Sequence, residues 1–323
     1  MKYIIIVEIG TNSIKAVVGV IDFHKLEFIN EKIYYTRLGE KLATAKYLSY
    51  HAMSHNIAVL HELIDEYQRI YSTVEIFLLA TQVLRTALNY QIFIQKVKLE
   101  LGFEIIILSS REEAMCAFYS QYNQVFSTDL PMLVHFSNCG VLDIGGGSTE
   151  LVYQNENHVL ITQSFPLGAV FLKEKKALTS LYPFSIKDGK EHLTRFLKQI
   201  NHIIQECVHS RILFKGEYLT VIGGTAVALA YLHKSCPQFN SNLLEGTILT
   251  IADIEAAYVK FINFNDHTIL PGRADILPYG IAILLFFLAE LKLEKIVVSC
   301  KGVRHGYLVM KTKIINLTPE PNN

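Results

Sequence analysis

The chain has 323 residues, half of them hydrophobic and 19% charged, and its 30 basic and 30 acidic side chains give a formal net charge of zero. This excludes a disordered chain and leaves no global field to draw the protein to nucleic acid or an anionic membrane, so a polyanion must be met by local charge. Five cysteines without a C-x-x-C pair argue against a disulfide framework and a zinc ribbon. The apolar stretch at the N-terminus ends at Glu8, too soon for a secretory signal, and the longest apolar run, residues 281–289, is about half a bilayer span. The expectation is a cytoplasmic protein with no membrane and no nucleic-acid partner.

Residues 3–22, Y-I-I-I-V-E-I-G-T-N-S-I-K-A-V-V-G-V-I-D, read as an apolar strand, an acid at Glu8, Gly10, the polar cluster Thr11, Asn12 and Ser13, and a second apolar strand. The alternation over 26–36 predicts a third, antiparallel strand. Residues 53–72 show helical spacing, with Ile57, Leu60, Leu63, Ile64 and Tyr67 on one face. His51 and His55 lie one helical turn apart near His61, a spacing zinc sites use, but they lack an evident further ligand and read better as a solvated face. Val74–Ala80 is a buried-type strand, and 81–89 begins a helix carrying a lone Arg85, suited either to phosphate through its fixed fork or to a surface ion pair. Residues 104–108 form another strand. The following S-S-R-E-E-A fits a capping box through Ser109 with Glu112 or Ser110 with Glu113, which leaves one acid spare for chemistry. The polar stretch 123–131, ending in proline, is the best domain junction, dividing the chain into 1–130 and 131–323.

The second half opens on C-G-V-L-D-I-G-G-G-S-T-E-L-V-Y, residues 139–153: strand, tight turn, strand. Gly145, Gly146 and Gly147 let a ligand approach their amides, and successive inward amides make an anion nest. Asp143 and Glu150 flank that nest with carboxylates, which suit a phosphate carrying Mg²⁺. A plain glycine-rich hairpin is the alternative. Aligning Glu8 with Asp143 also aligns Gly10 with Gly145 and both following strands, the mark of an internal duplication with a phosphate turn in each half. Further on come a strand at 158–165, the turn P-L-G-A, a basic run at 173–176 and a long amphipathic helix at 190–212. Residues 218–230 run strand, Gly223-Gly224, helix, a turn that aims helix-terminal amides at an anion or a ribose. L-P-G-R-A-D-I-L-P-Y-G at 270–280 leads into an apolar core helix, 295–299 is a last buried strand, and a final helix starts from Cys300.

Taken together these segments resemble the exopolyphosphatase and guanosine pentaphosphate phosphohydrolase (Ppx/GppA) family, a branch of the sugar kinase, heat-shock chaperone and actin superfamily. The resemblance rests on E-I-G-T-N-S at 8–13, V-L-R-T-A-L-N at 83–89, S-S-R-E-E-A at 109–114, D-I-G-G-G-S-T-E-L at 143–151, F-P-L-G-A-V, V-I-G-G-T-A and L-P-G-R-A-D-I-L-P-Y-G, in that order. It implies an α/β fold of two ribonuclease H-like domains with mixed sheets flanked by helices, the site in the cleft between them, Mg²⁺, and hydrolysis of a terminal phosphoanhydride. By position, Glu113 would deprotonate the attacking water and Arg85 would counter charge on the transferred group. Gly10, Thr11, Asn12, Ser13, Gly145, Gly146, Gly147 and Ser148 would grip phosphates, and Asp143, Glu150 and Glu8 would hold the metal or its waters. A homodimer would be unsurprising for the family.

Four departures bear on turnover. Glu8 stands where the family has Asp, reaching about 1 Å further into a site whose metal tolerates little distortion, and Phe171 stands where an arginine is common. His305 takes the usual acid position of an L-R-E-G-like motif, and Ser110 replaces a common glycine. The leading expectation is a Mg²⁺-dependent phosphohydrolase acting on inorganic polyphosphate or guanosine pentaphosphate. The first would want a basic channel, for which Lys173, Lys175, Lys176, Arg273, Lys301 and Arg304 are candidates; the second would want a base pocket near Gly223 to Thr225. The alternatives are a sensor of either ligand that has lost turnover, and an actin-like ATPase or kinase.

Overall fold

The computed structural model describes residues 2–22, 25–71, 73–121, 139–176, 189–208, 212–236, 238–263 and 272–312. The stretch 123–131, read above as a domain junction, lies outside them. Strands β1 (Lys2–Ile9), β2 (Ile14–Asp22), β3 (Lys25–Tyr34), β4 (Val74–Ala80) and β5 (Ile105–Ile107) form one sheet in the order β3-β2-β1-β4-β5. Here β2 runs antiparallel to both β1 and β3, while β1, β4 and β5 are parallel. The second sheet comprises β6 (Cys139–Ile144), β7 (Thr149–Gln154), β8 (Leu160–Phe165), β9 (Tyr218–Ile222), β10 (Ile248–Thr250) and β11 (Lys295–Val298), ordered β10-β11-β9-β6-β7-β8. Read from β8, it repeats the first sheet strand for strand and appends β10 at the edge, with the same mixture of senses. The expected α/β architecture of mixed sheets flanked by helices is what the chain adopts.

Alternation along β1 and β6 decides which side chains can reach the space between the sheets. Successive residues of a strand point to opposite faces. Ile5, Val7 and Ile9 join the core on the outer side of the first sheet, with Leu60 and Leu63 from the helix Tyr50–Ile70, whereas Ile4 and Ile6 face the other way. That second layer is shared: Ile4, Ile6 and Val17 meet Val141, Val152 and Ile222 of the second sheet. Leu142, Ile144 and Leu151 turn outward into the core of the second half. Glu8 and Lys15 therefore continue the inner face of β1 and β2, as Asp143 and Glu150 continue that of β6 and β7.

Two helices complete the shared layer, Ser110–Tyr119 through Ala114, Cys116 and Ala117, and Val303–Lys311 through Val303, Leu308 and Val309. They touch backbone to backbone, because a Cβ on Gly306 would lie 1.7 Å from the Cys116 carbonyl oxygen. The final helix also packs on β2, where Leu308 covers Gly19. Among the described residues no helix is long and apolar enough to cross a membrane.

Element boundaries differ from the sequence reading where side chains intercept the backbone. The helix expected over 81–89 ends at Thr86 and a new one spans Tyr90–Leu101, since the Asn89 side chain is engaged with both the N–H and the C=O of Leu48. The final helix begins at Val303, because the N–H groups of Cys300 and Lys301 donate to Glu245 and to the Ser299 hydroxyl. The helix expected over 190–212 spans Gly189–Cys207. His51, His55 and His61 lie on the exposed face of the helix Tyr50–Ile70.

The crossing at Gly306 makes a direct prediction. Gly306→Ala should cost about 1–3 kcal/mol through overpacking, seen as a lower midpoint of thermal unfolding. An unchanged midpoint would mean that the two helices separate without penalty.

Candidate active site

The two polar turns are the same construction built twice. Gly10 donates its N–H to the Ser13 carbonyl at 2.9 Å, and Gly145 donates to that of Ser148 at 3.0 Å. The cross-strand register matches as well: Glu8 lies opposite Lys15, and Asp143 opposite Glu150. The turns meet face to face, for a Cβ on Gly146 would come within 3.0 Å of the Thr11 Cβ. Between them is a narrow cleft lined by Gly10, Thr11, Asn12 and Ser13 on one side and Gly145, Gly146, Gly147 and Ser148 on the other. The second turn is held from behind. Ala169 and Val170, opening the helix Ala169–Lys176, donate their N–H groups to the carbonyls of Gly145 and Gly146 at 3.0 and 2.8 Å.

The acids of the S-S-R-E-E-A segment divide their tasks. Glu112 closes the capping box, accepting from the Ser109 N–H at 2.8 Å while its own N–H donates to the Ser109 hydroxyl. Glu113, one residue on, is buried and reaches the cleft with Glu8 and Asp143. Arg85 backs it, donating from Nη1 to Glu113 Oε2 at 2.6 Å and to the Leu108 carbonyl at 2.8 Å. Burial pushes the Glu113 carboxyl up, and Arg85 opposes this only in part because Asp143 and Glu8 add repulsion; it settles at about 7. Asp143 rises to about 6, mainly through burial, with Lys15 opposing and Glu8 reinforcing. Glu150, buried and hydrogen-bonded by the Ser164 hydroxyl at 2.9 Å, is raised well above the usual range by burial and by repulsion from Glu113 and Asp143. Glu8 behaves differently. Burial opposes its charge, but Lys15, 2.9 Å from Oε1, and the nearby Arg304 hold its pKa below the ordinary value.

Residues 17–314 match the Ppx/GppA phosphatase family. The chain belongs to that family. It is 26% identical over 311 residues to the bifunctional 3-dehydroquinate synthase/phosphatase of Fusobacterium nucleatum subsp. nucleatum, an alignment that covers 91% of this chain and 44% of that protein. The chain thus spans less than half the length of this relative. Among solved structures it is similar to the Aquifex aeolicus PPX-GPPA enzyme, with 25% identity, a TM-score of 0.70, and coverage of 96% of this chain and 99% of that one. It also shares its fold with an exopolyphosphatase from Cytophaga hutchinsonii, at 18% identity and a TM-score of 0.76, with 97% and 98% of the two chains covered.

Of the residues singled out from the motifs, Glu8, Glu113 and Asp143 line the cleft together with the two turns. Arg85 and Glu150 do not line the cleft; they stand behind Glu113 and Asp143. Arg85 Nη2 and Glu8 Oε2 are both buried without a hydrogen-bond partner. Lys15 and Gln82 line the cleft although neither was singled out from the sequence. Lys15 could have been found, since it sits seven residues after Glu8 as Glu150 does after Asp143. Among the described residues no group of three or more His, Cys, Asp or Glu side chains is arranged to hold a metal ion by itself. The set around Asp143 instead offers one or two carboxylates, which suits an ion that keeps waters and takes its remaining ligands from phosphate oxygens.

The basic residues proposed for a polyphosphate channel disperse. Lys173 pairs with Asp275, Arg304 is buried against Glu31, Lys301 is largely buried, and Lys175 lies over the Phe171 ring. The Lys176 side chain is outside the described residues. Arg273 alone of the six lines the cleft, pressed onto Gly224 and standing over Tyr35 with 5.4 Å to the ring centre.

His305 keeps the acid position of the family motif without an acid. Its Nδ1 accepts the Gly302 N–H at 3.1 Å, and its Nε2 lies 3.2 Å from Glu31 Oε1 on β3. Glu31 thus places a carboxylate beside the start of the last helix, where it also receives Arg304. Burial and the neighbouring charge of Arg304 and Lys301 hold the imidazole down at about 4 despite Glu31, while Glu31 itself falls to about 2 because the hydrogen bonds and charges of His305 and Arg304 outweigh its burial. Between the unfolded value of about 6.5 and the folded one the unfolded state binds the extra proton, so acidification destabilises the fold across that window. The Glu31 contribution is present above its unfolded value and is lost below it, at lower pH. His305→Gln should therefore flatten the fall in thermal stability between about pH 6.5 and 4, a loss on the order of 3 kcal/mol in the native protein, while leaving the more acidic Glu31 limb. Equal slopes in melting curves of the two proteins would show that His305 is not the group responsible.

Proposed function

We propose that the protein is a Mg²⁺-dependent hydrolase that releases the terminal phosphate of inorganic polyphosphate or guanosine pentaphosphate. The observation that carries this is Glu113: a buried carboxyl with a pKa near 7, projecting into a cleft whose two walls are phosphate-binding turns. A general base works best when its pKa lies near the operating pH. Phosphoryl transfer asks little else of a protein beyond positioning and charge neutralisation.

In this reading the terminal phosphoryl group lies between the turns, gripped by the amides of residues 11–13 and 146–148. Glu113 takes a proton from a water as the water oxygen attacks phosphorus, and the bridging oxygen leaves with the rest of the chain. Arg85 fixes the orientation of the base and keeps part of its population ionised. Lys15 neutralises Glu8, so this wall of the cleft sets no uncompensated negative charge against the transferred group. Asp143, with Glu150 and Glu8 beside it, would hold Mg²⁺, which would supply positive charge to offset that of the phosphate. Supporting its presence, burial and mutual repulsion raise Asp143, Glu113 and Glu150 together, a penalty that a cation in their midst would relieve.

Glu113→Gln should lower kcat for phosphate release by about 10²–10⁴-fold while leaving polyphosphate or nucleotide binding intact by calorimetry. Retained turnover would remove Glu113 as the base. Glu8→Asp should lower the Mg²⁺ concentration needed for half-maximal release, by drawing the carboxylate back from the metal. An unchanged requirement would mean that the Lys15 pair, not side-chain length, sets the behaviour of Glu8.

A further inference from the structure

Gln82 stands just ahead of the V-L-R-T-A-L-N segment and takes no part in the chemistry proposed above. It opens the helix Gln82–Thr86 after β4, and with Thr81 it lines the cleft. Its backbone is fixed on both sides. Thr81 donates its N–H to the Ile9 carbonyl at the end of β1, Val83 and Leu84 are fully buried, and Arg85, three residues on, holds Glu113. The framework that places the candidate base therefore places Gln82 as well.

The side chain of Gln82 lies where the two polar turns meet. A Cβ on Gly147 would fall 1.9 Å from Gln82 Oε1 and 2.8 Å from both Gln82 Cδ and Thr11 Oγ1. The carboxamide thus rests on the backbone of the second turn, beside the Thr11 hydroxyl of the first, and only a glycine at 147 leaves it room. Three separate segments converge there: the turn between β1 and β2, the residues after β4, and the turn between β6 and β7. Among the described residues the carboxamide has no hydrogen-bond partner. The Thr86 hydroxyl donates to the backbone carbonyl of Gln82, at 3.0 Å, and leaves the side chain untouched.

A carboxamide offers two N–H donors and a carbonyl acceptor. Groups of this kind left idle where water is partly excluded cost free energy, and an apolar side chain of equal length would serve packing alone without that cost. With neither end bonded to protein, a half-turn about the last side-chain bond lets either Oε1 or Nε2 face the cleft. A neutral donor also suits this place. Glu8, Glu113 and Asp143 already bring three carboxylates to the cleft, and an amide adds a hydrogen bond to phosphate without changing the charge around them.

We infer that Gln82 is a phosphate-contacting residue: its Nε2 donates to an oxygen of the phosphoryl group held between the turns. The contact would join a side chain of the first half to a ligand gripped by the turn of the second. The inference rests on the reading of the cleft as a phosphate site and adds to it a residue that lies outside the motifs.

Orthophosphate, the product of any such hydrolysis, is the probe. Its binding with Mg²⁺ would be measured by calorimetry for the native protein, Gln82→Met and Gln82→Glu, alongside thermal unfolding midpoints in phosphate-free buffer. Release of phosphate from long-chain polyphosphate and from guanosine pentaphosphate would be followed in parallel. Gln82→Met keeps the length of the side chain without a donor. It should weaken orthophosphate binding by about ten-fold, the worth of a hydrogen bond to a charged partner, with no fall in the midpoint. Gln82→Glu sets a like charge against the phosphate and should weaken binding further, by a factor that shrinks as salt is added. Orthophosphate bound equally by the native protein and Gln82→Met, or by neither, would overturn the contact and leave Gln82 a packing residue. Binding that depends on Gln82, without release of phosphate from either compound, would retain the contact and overturn the hydrolase. Release that Gln82→Met leaves unchanged in both kcat and KM would do the reverse.

Discussion

The apolar layer shared by the two sheets governs the rest of the molecule. From Ile4 onward β1, and β6 along its whole length, are buried on both faces, so each of these residues must pack on one core or the other, and the period of two leaves no choice of side. Ile4 and Ile6 commit Glu8 to the inner face, and Val141 commits Asp143 to it. Carboxylates at the end of an otherwise hydrophobic layer carry a large desolvation penalty, expressed here as the raised pKa values of Asp143, Glu113 and Glu150. Glu8 escapes that penalty through Lys15, its partner across the strand pair. In the second hairpin the corresponding position is Glu150, an acid. The duplication therefore places like charges together in one half and opposite charges in the other, and the combined cleft is electrically asymmetric although its backbone is nearly symmetric.

The same layer ties the candidate base to a distant part of the chain. Glu113 projects from a helix that, one turn further on, rests on Val303–Lys311 through the contact of Gly306 with Cys116. Arg304 and His305, at the start of that last helix, are anchored to Glu31 on β3, and the charge of Arg304 is felt at both Glu8 and Asp143. The C-terminal helix thus supports the site mechanically through a glycine and electrostatically through an arginine. Loosening it would disturb the position of Glu113 and the ionisation of its neighbours together.

How much of this could be read from residues alone depended on range. The two hairpins were legible because their strands, turns and acids are contiguous and repeat. So was the choice between Glu112 and Glu113 as far as it went: the segment announced one cap and one spare acid, and only the rotamer of Ser109 decided which. The backing of Glu113 by Arg85 joins residues 28 apart, and the pairing of His305 with Glu31 joins β3 to the last helix; neither leaves a local trace. The basic residues misled for the complementary reason. Composition counts cations without their partners, and Lys173, Arg304 and Lys301 are committed to carboxylates or to burial. Helix ends also escaped prediction where a distant side chain took over the backbone, as Asn89 does for Leu48.

The contacts that close the cleft are of a kind that can be undone. Asn12 Nδ2 donates to the Gly272 carbonyl at 3.0 Å, Arg37 and Lys173 share Asp275, and Glu174 holds the N–H groups of Lys41 and Ala43. The Asp275 pairs are about one-third exposed, and ion pairs in such settings contribute at most about 1 kcal/mol each. Arg37, Lys41 and Lys46 moreover have positive φ angles of 50°, 63° and 66°, backbone conformations that persist in non-glycine residues only while their surroundings hold them. The stretch 37–46 is therefore held in part by half-exposed ion pairs and in part by backbone conformations that its surroundings maintain. About 50 Å³ is free between the two polar turns. In the function proposed above, a ligand entering the cleft would have to pass these contacts, which are the least firmly held on its rim.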